Sequence, residues 1–270
     1  MLIAGGDYFQ TVREWQVHRE AGLRAPDSWL ALVGLFWLKP GVNTIGSGSG
    51  NDFVLPRKSA PEHVGKLLLS NGAVTFIGTD GSQRQLTFDE EHPDIVKAGT
   101  VSFYAIKRGD RLGIRVKDSQ SPTLKSFSGT EFFKINPELH FEAHLIPDEK
   151  TIPIHNVLGQ IEQQKSPGVV EFRYRGQTYR LRPIFEGKTL FFLFKDPTNR
   201  SNTYQGGRML NTPLPVNGKV NLDFNRSYNP PCTFTPFATC PLPPKENTLP
   251  FPVEAGEKRY HSGHAEYSTN

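Results

Sequence analysis

The sequence predicts a mostly β protein: an N-terminal helix followed by two packed β-sandwich or barrel-like modules, the second closed by a proline-rich strap. Short apolar and aromatic runs recur along the chain, separated by Gly, Pro, Asn and Asp. The 270 residues include 25 Gly, 22 Pro and 19 Phe but only 2 Met, a balance that suits many turns joining half-buried strands. One stretch near the start departs from this and carries helical spacing.

That stretch is "DYFQTVREWQVHREAGL". Asp7 as N-cap with Gln10 three residues later reads as a capping box, Gly22 suits the stop, and Val12 and Trp15 share a face. "WLALVGLFWLKPGVNTIG" reads as either a buried helix or two strands, and Gly34 and the Pro40-Gly41 turn favour strands. From Asn51 to Lys117 short strands alternate with turn signals at Asn71-Gly72, Asp80-Gly81 and Arg108-Gly109-Asp110. Residues 118–137 are polar, contain Pro122 and Pro137, and mark the boundary between halves. Strands resume in "HFEAHLIP", "TIPIHNVLG", "VVEFRYRGQTYRLRPIF", "TLFFLF" and "KVNLDF". The expected division is a helix over 1–25, a first β module over 26–125, a second over 126–258 and a flexible tail over 259–270.

One hairpin can be read residue by residue. A two-residue turn at Gly176-Gln177 sets Tyr174 opposite Tyr179, Phe172 opposite Leu181, Arg173 opposite Arg180 and Glu171 opposite Arg182. Facing arginines repel unless solvent, nearby carboxylates or a bound anion neutralises them.

Composition excludes some classes. The net charge of +4 is scattered, with no basic tail or basic helix, so no nucleic-acid partner is expected. The start "MLIAGGDYFQ" lacks the form of a signal peptide, and the apolar run Trp29–Leu38 is too short to cross a bilayer. A cytoplasmic protein without membrane contact is expected, its two cysteines kept as thiols. "GSGSGN" (Gly46–Asn51) lacks the Lys-Ser/Thr of a phosphate-binding loop and reads as a turn. In "HFEAH" a strand would put His140, Glu142 and His144 on one face, an arrangement open to a metal or to solvent. Cys232 and Cys240, with His261 and His264 downstream, are spaced too widely for the usual zinc clip. Inert buried thiols, a disulfide and a functional thiol all remain open for them. No metal or cofactor is expected.

The segment Leu193–Leu210, "LFKDPTNRSNTYQGGRML", and the segment Val220–Lys258, from "VNLDFNRSYNPPC" to "AGEK", carry a long motif. Its positions are Asp196, Thr198, Tyr204, Gly206, Gly207, Arg208, then Asp223, Phe224, Asn225, Arg226, Tyr228, Asn229, Pro230, Cys232, Cys240, Pro241, Glu246, Asn247, Ala255, Gly256 and Glu257. It resembles the signature of the 1684 family of domains of unknown function, found in bacteria and fungi, and the likeness extends upstream through "LVGLFWLKPGVNTIGS". The resemblance brings no activity with it. Residues 43–82 also resemble, in outline, the forkhead-associated phosphopeptide-binding sandwich. Ser47 stands where that family carries its phosphate-gripping Arg, and Ser59 lies four residues before His63 instead of three. The outline implies a sandwich, while the phosphate chemistry is damaged.

The C-terminal segment holds the candidate site. In "VNLDFN" alternation puts Asn221, Asp223 and Asn225 on one face. Prolines 230, 231, 236, 241, 243 and 244 then restrict the chain to extended and turn shapes. If the flanking polar groups converge, Asp223 or Glu257 would be a general base, Cys232 a nucleophile, and Arg208, Asn225, Arg226, Tyr228 and Asn247 would bind substrate. The same residues would equally anchor an irregular segment by satisfying its backbone. The leading expectation is a small-molecule-binding protein or enzyme, including a hydrolase, acting on an anionic or polar molecule in the second module. The alternative is a non-catalytic protein-interaction module on a degenerate forkhead-associated-like first half. The sequence fixes no oligomeric state.

Overall fold

Helix α1 (Gly5–Leu23) starts earlier than the capping pattern suggests, so Asp7 lies within its first turn. There its charge still complements the helix dipole. Tyr8 and Val12 are buried, and with Trp15 and Arg19 they complete one helical face. The computed structural model describes residues 5–89 and 92–260. These form two compact units: a larger one from residues 5–21, 128–234 and 239–260, and a smaller one from residues 22–89, 92–127 and 235–238.

The smaller unit contains β1 (Leu32–Trp37), β2 (Gly41–Gly46), β3 (Phe53–Val54), β4 (Gly65–Ser70), β5 (Ala73–Gly78), β6 (Gln83–Leu86), β7 (Val96–Ala98), β8 (Val101–Arg108) and β9 (Arg111–Asp118). They make two sheets, ordered β1-β9-β8-β7 and β3-β2-β4-β5-β6. Ile45, Phe53, Leu67 and Val74 from one sheet meet Phe103, Ile114 and Val116 from the other in a shared apolar core. Alternating strands supply these inward residues, as a sandwich requires. Asn71 and Gly72 both take positive φ, 50° and 75°, which gives the β4–β5 turn the twist of a type I′ hairpin. The polar boundary stretch holds a short helix that its composition did not suggest, α2 (Pro122–Ser126). Ser121 Oγ caps it by accepting from Leu124 N at 3.0 Å, and Pro opens its first turn.

The larger unit contains α1 up to Ala21 with β10 (His140–His155), β11 (Ile161–Tyr174), β12 (Gln177–Leu181), β13 (Ile184–Glu186), β14 (Thr189–Phe194), β15 (Arg208–Pro213) and β16 (Lys219–Asp223). Its sheets are ordered β12-β11-β10-β16 and β13-β14-β15. Phe172, Leu181, Leu190, Phe192, Phe194, Leu210, Leu222 and Phe224 form one buried cluster drawn from both sheets. The two strands expected around residue 150 are a single strand with a register shift between Pro147 and Lys150. After β16 the described chain has only short 3-10 turns and isolated bridges.

The β11–β12 hairpin corrects the expected register. Its turn residues are Arg175 and Gly176, with φ of 49° and 78°, so Tyr174 faces Gln177 and Phe172 faces Tyr179. Arg180 thus stands opposite Glu171 instead of Arg173, and its Nε donates to Glu171 Oε2 at 2.9 Å. The expected like-charge clash does not arise. On β10, Glu142 pairs with Lys219 at 2.7 Å and His140 stacks on Tyr8 with ring centroids 4.7 Å apart. The shared face of His140, Glu142 and His144 is thereby committed to neighbours and solvent.

Candidate functional site

The irregular chain beyond β16 has few ladder partners, and buried side chains take their place. Arg208, at the start of β15, is fully buried. Its Nη2 donates to Asp196 Oδ2 at 2.8 Å and to Val253 O at 2.7 Å, and its Nη1 donates to Ala255 O. Burial pushes the guanidinium below the usual arginine range, and the Asp196 carboxylate works against that shift. Asp196 also caps the turn Pro197–Arg200 by accepting from Thr198 N at 2.9 Å, and accepts from Val253 N at 3.0 Å. One ion pair therefore ties β15, a capped turn and the segment 253–255 together.

Three further clamps use the same device. Glu257, fully buried, accepts from Arg19 Nε at 2.7 Å and from Asn229 N at 2.7 Å. Asp223 Oδ1 accepts from Tyr8 Oη at 2.9 Å and from the Asn225 backbone and side-chain nitrogens at 3.1 and 3.0 Å. Burial first, then the Asp223 charge, raises the Tyr8 phenol above its ordinary value. Asn247 Oδ1 accepts from Arg182 N at 2.7 Å, while its Nδ2 donates to Arg182 O and Leu193 O, both at 2.9 Å.

An open cavity of about 420 Å³ lies in the smaller unit, lined by Trp37, Leu38, Leu69, Asp110, Arg111 and Leu112 among others. Its walls are the end of β1, the β4–β5 turn and the β8–β9 turn. The three leucines are half-buried and give it an apolar floor. The Arg111 guanidinium lies 4.0 Å from the centroid of the Trp37 ring, stacked by cation–π attraction. Neither the Arg111 nor the Asp110 side chain has a hydrogen-bond partner among the described residues, so the guanidinium donors and the carboxylate are open to a ligand. The lining is mostly apolar, with a few polar groups at the rim.

Residues 125–258 match the family model described as "Protein of unknown function (DUF1684)". Through this segment the chain belongs to the DUF1684 family. The chain is also similar to the solution NMR structure of an uncharacterized protein from gene locus rrnAC0354 of Haloarcula marismortui. Identity is 27%, the match covers 51% of this chain and 80% of that one, and the TM-score is 0.43. No curated protein matches the chain. Several DUF1684 motif positions have a geometric reason here. Gly207 has φ of 102°, and a Cβ on it would sit 2.6 Å from Pro243 and 2.7 Å from Phe194 O. A Cβ on Gly256, at φ of 75°, would come within 2.3 Å of Ser227 O.

Among the sequence-predicted residues of the DUF1684 segment, Arg208, Asn247, Asp223 with Asn225, and Glu257 are each engaged with protein partners, and the Glu257 charge acts on both Arg208 and Tyr228. Arg226 stays half-exposed, its Nε 3.3 Å from Asp223 Oδ2. Tyr228 donates to Asn211 Oδ1, lies under Arg19 at 4.7 Å, and has its phenol raised by burial and by Glu186. Asn225 belongs to a 3-10 turn capped by Asp223, so the expected run of Asn221, Asp223 and Asn225 along one strand face stops at Asp223. Cys232 is half-buried, Cys240 is buried, and both are thiols. Among the described residues no group of three or more His, Cys, Asp or Glu side chains forms a metal cluster. His261 and His264, with most of the expected tail, lie outside the described residues, whereas Arg259 donates through Nε to Thr203 O at 3.0 Å.

Sequence reading missed Tyr8, Arg19 and Asn136 as partners of the frame, and Trp37 and Arg111 as cavity walls. For Tyr8 and Arg19 a signal existed, because extending the Val12–Trp15 face by one helical turn each way reaches both. In the forkhead-associated-like stretch, Ser47 Oγ donates to Ala60 O at 2.7 Å and Ser59 Oγ to Asp118 Oδ2 at 2.6 Å, so both hydroxyls are engaged with neighbouring chain. Among the described residues no helix is long and apolar enough to cross a membrane.

Proposed function

We propose that the protein binds a small organic molecule, a ring-bearing carboxylate or similar polar anion, in the Trp37–Arg111 cavity of the smaller unit. The observation that carries this reading is the open guanidinium of Arg111 stacked on Trp37 above a leucine floor. A ring rests against the leucine floor beside Trp37, and its carboxylate meets Arg111 in a charge-assisted pair. Asp110, on the same turn, accepts from a hydroxyl or amine of the ligand. The carboxylates Asp223 and Glu257 favour a binding role over catalysis, since both are buried and already accept from internal donors. A site in the DUF1684 segment would instead require its buried clamps to open.

Titration of the full chain with 1-naphthoate, with neutral 1-naphthalenemethanol as control, tests this by tryptophan fluorescence. Saturable quenching by the acid is expected, with Arg111→Ala weakening it by roughly 10- to 100-fold, the worth of a charge-assisted hydrogen bond of about 1.5–3 kcal/mol. Equal binding of acid and alcohol, or full affinity in Arg111→Ala, overturns the reading.

A further inference from the structure

The two cysteines flank a seven-residue stretch, 233–239, with prolines at 230, 231 and 241 just outside them. They meet in space: the Cys232 backbone N–H donates to Cys240 Sγ at 3.0 Å. Since a residue's own N and Cβ lie about 2.5 Å apart, this contact puts Cys240 Sγ within roughly 5.5 Å of Cys232 Cβ. The sulfurs differ in access, Cys232 being half-buried and Cys240 buried. The flanking prolines limit how far the ends of the segment can part. Tyr204 lies in the same neighbourhood, its phenol raised by burial and then by Cys232 and Cys240.

We propose that Cys232 is a thiol-modification site for small disulfides of the glutathione type, and that Cys240 resolves the adduct into an intramolecular disulfide. The Cys232 thiolate attacks one sulfur of the small disulfide, forming a mixed disulfide and expelling one small thiolate, which takes up the proton Cys232 lost. Cys240 Sγ, deprotonated, then attacks Cys232 Sγ. The Cys232–Cys240 bond forms, the mixed disulfide breaks, and the second small thiol leaves with the Cys240 proton. Two protein thiols are oxidised and one small disulfide is reduced to two thiols. The more accessible sulfur is the point of entry, and the buried one, held against the Cys232 backbone, resolves.

The test treats the full chain with oxidised glutathione, quenches with an alkylating agent and reads the peptides by mass spectrometry. The wild type is expected to yield a Cys232–Cys240 disulfide with little glutathione adduct, reversed by dithiothreitol. Cys240→Ser should accumulate a stable adduct on Cys232. Cys232→Ser should slow modification of the chain by at least ~10-fold, because only the buried thiol remains. A wild type that accumulates the Cys232 adduct without closing, that is modified first at Cys240, or that keeps both thiols alkylatable overturns the proposal.

Discussion

The two units solve the same problem with different groups. In the smaller unit nine strands satisfy their own backbone, and most acidic side chains work at turns. Asp52 accepts from Thr44, Asp80 from Ser82 and Asp94 from Thr87, all at exposed positions. The larger unit's described chain beyond β16, residues 224–234 and 239–260, contains no strand, and it answers with a frame of buried Arg, Asp, Glu and Asn. Regular sheet needs little from side chains beyond packing, whereas irregular chain draws fixed donors and acceptors into the interior. The contrast is not absolute: Arg115 is buried in the smaller unit, where the rings of Trp29 and Tyr104 flank its guanidinium.

The strongest way to break this contrast is to remove the central ion pair. Arg208→Met leaves Asp196 buried and uncompensated, and is expected to cost about 3–5 kcal/mol of the larger unit's stability. Hydrogen exchange should show the loss in residues 128–258, with protection in β8 and β9 retained. Equal loss of protection in both units would refute the division of labour. Asn247→Ala removes three hydrogen bonds and leaves Arg182 N and two carbonyls without partners, for an expected loss of about 1–3 kcal/mol in urea unfolding.

The smallest effect belongs to the smaller unit and depends on pH. Burial works to raise the Asp118 carboxyl, but hydrogen bonds from Ser59 Oγ and Gln120 N outweigh it and hold the group below the usual carboxylate range. A carboxyl depressed in the folded state contributes stability that is fully present above its unfolded value, near 3.9, and is lost as pH falls through the folded value. Asp118→Asn should therefore flatten the fall of the urea midpoint below about pH 4. An unchanged acid slope would mean that Asp118 carries none of it.

Much of the fold was legible in residue order. The helical face, the turn dipeptides and the alternation in "VNLDF" depend on neighbours a few positions away, and most of those elements form as expected. The β11–β12 register was not legible, because Arg175 adopts a left-handed conformation that sequence rarely signals outside Gly and Asn. The strand face expected through Asn225 ends early because Asp223 turns into a cap for the residues behind it. The candidate residues are polar groups close together in the sequence, but their partners were out of view. Tyr8 and Asp223 are 215 positions apart, and Arg19 and Glu257 are 238 apart. The cavity was hidden differently: Trp37 and Arg111 each read as ordinary strand-end residues until two turns bring them together.

Those long separations bear on how the chain is made. Helix α1 leaves the ribosome well before its acceptors Asp223 and Glu257, which lie 215 and 238 positions beyond Tyr8 and Arg19. At about 5–20 residues per second the nascent helix waits on the order of 10 to 50 seconds for them. Residues 22–127, by contrast, can complete their sheets apart from a four-residue contribution at 235–238. During translation the apolar face of Tyr8, Val12 and Trp15 is thus left uncovered beside a half that can already fold, and that interval is when this chain most needs a chaperone.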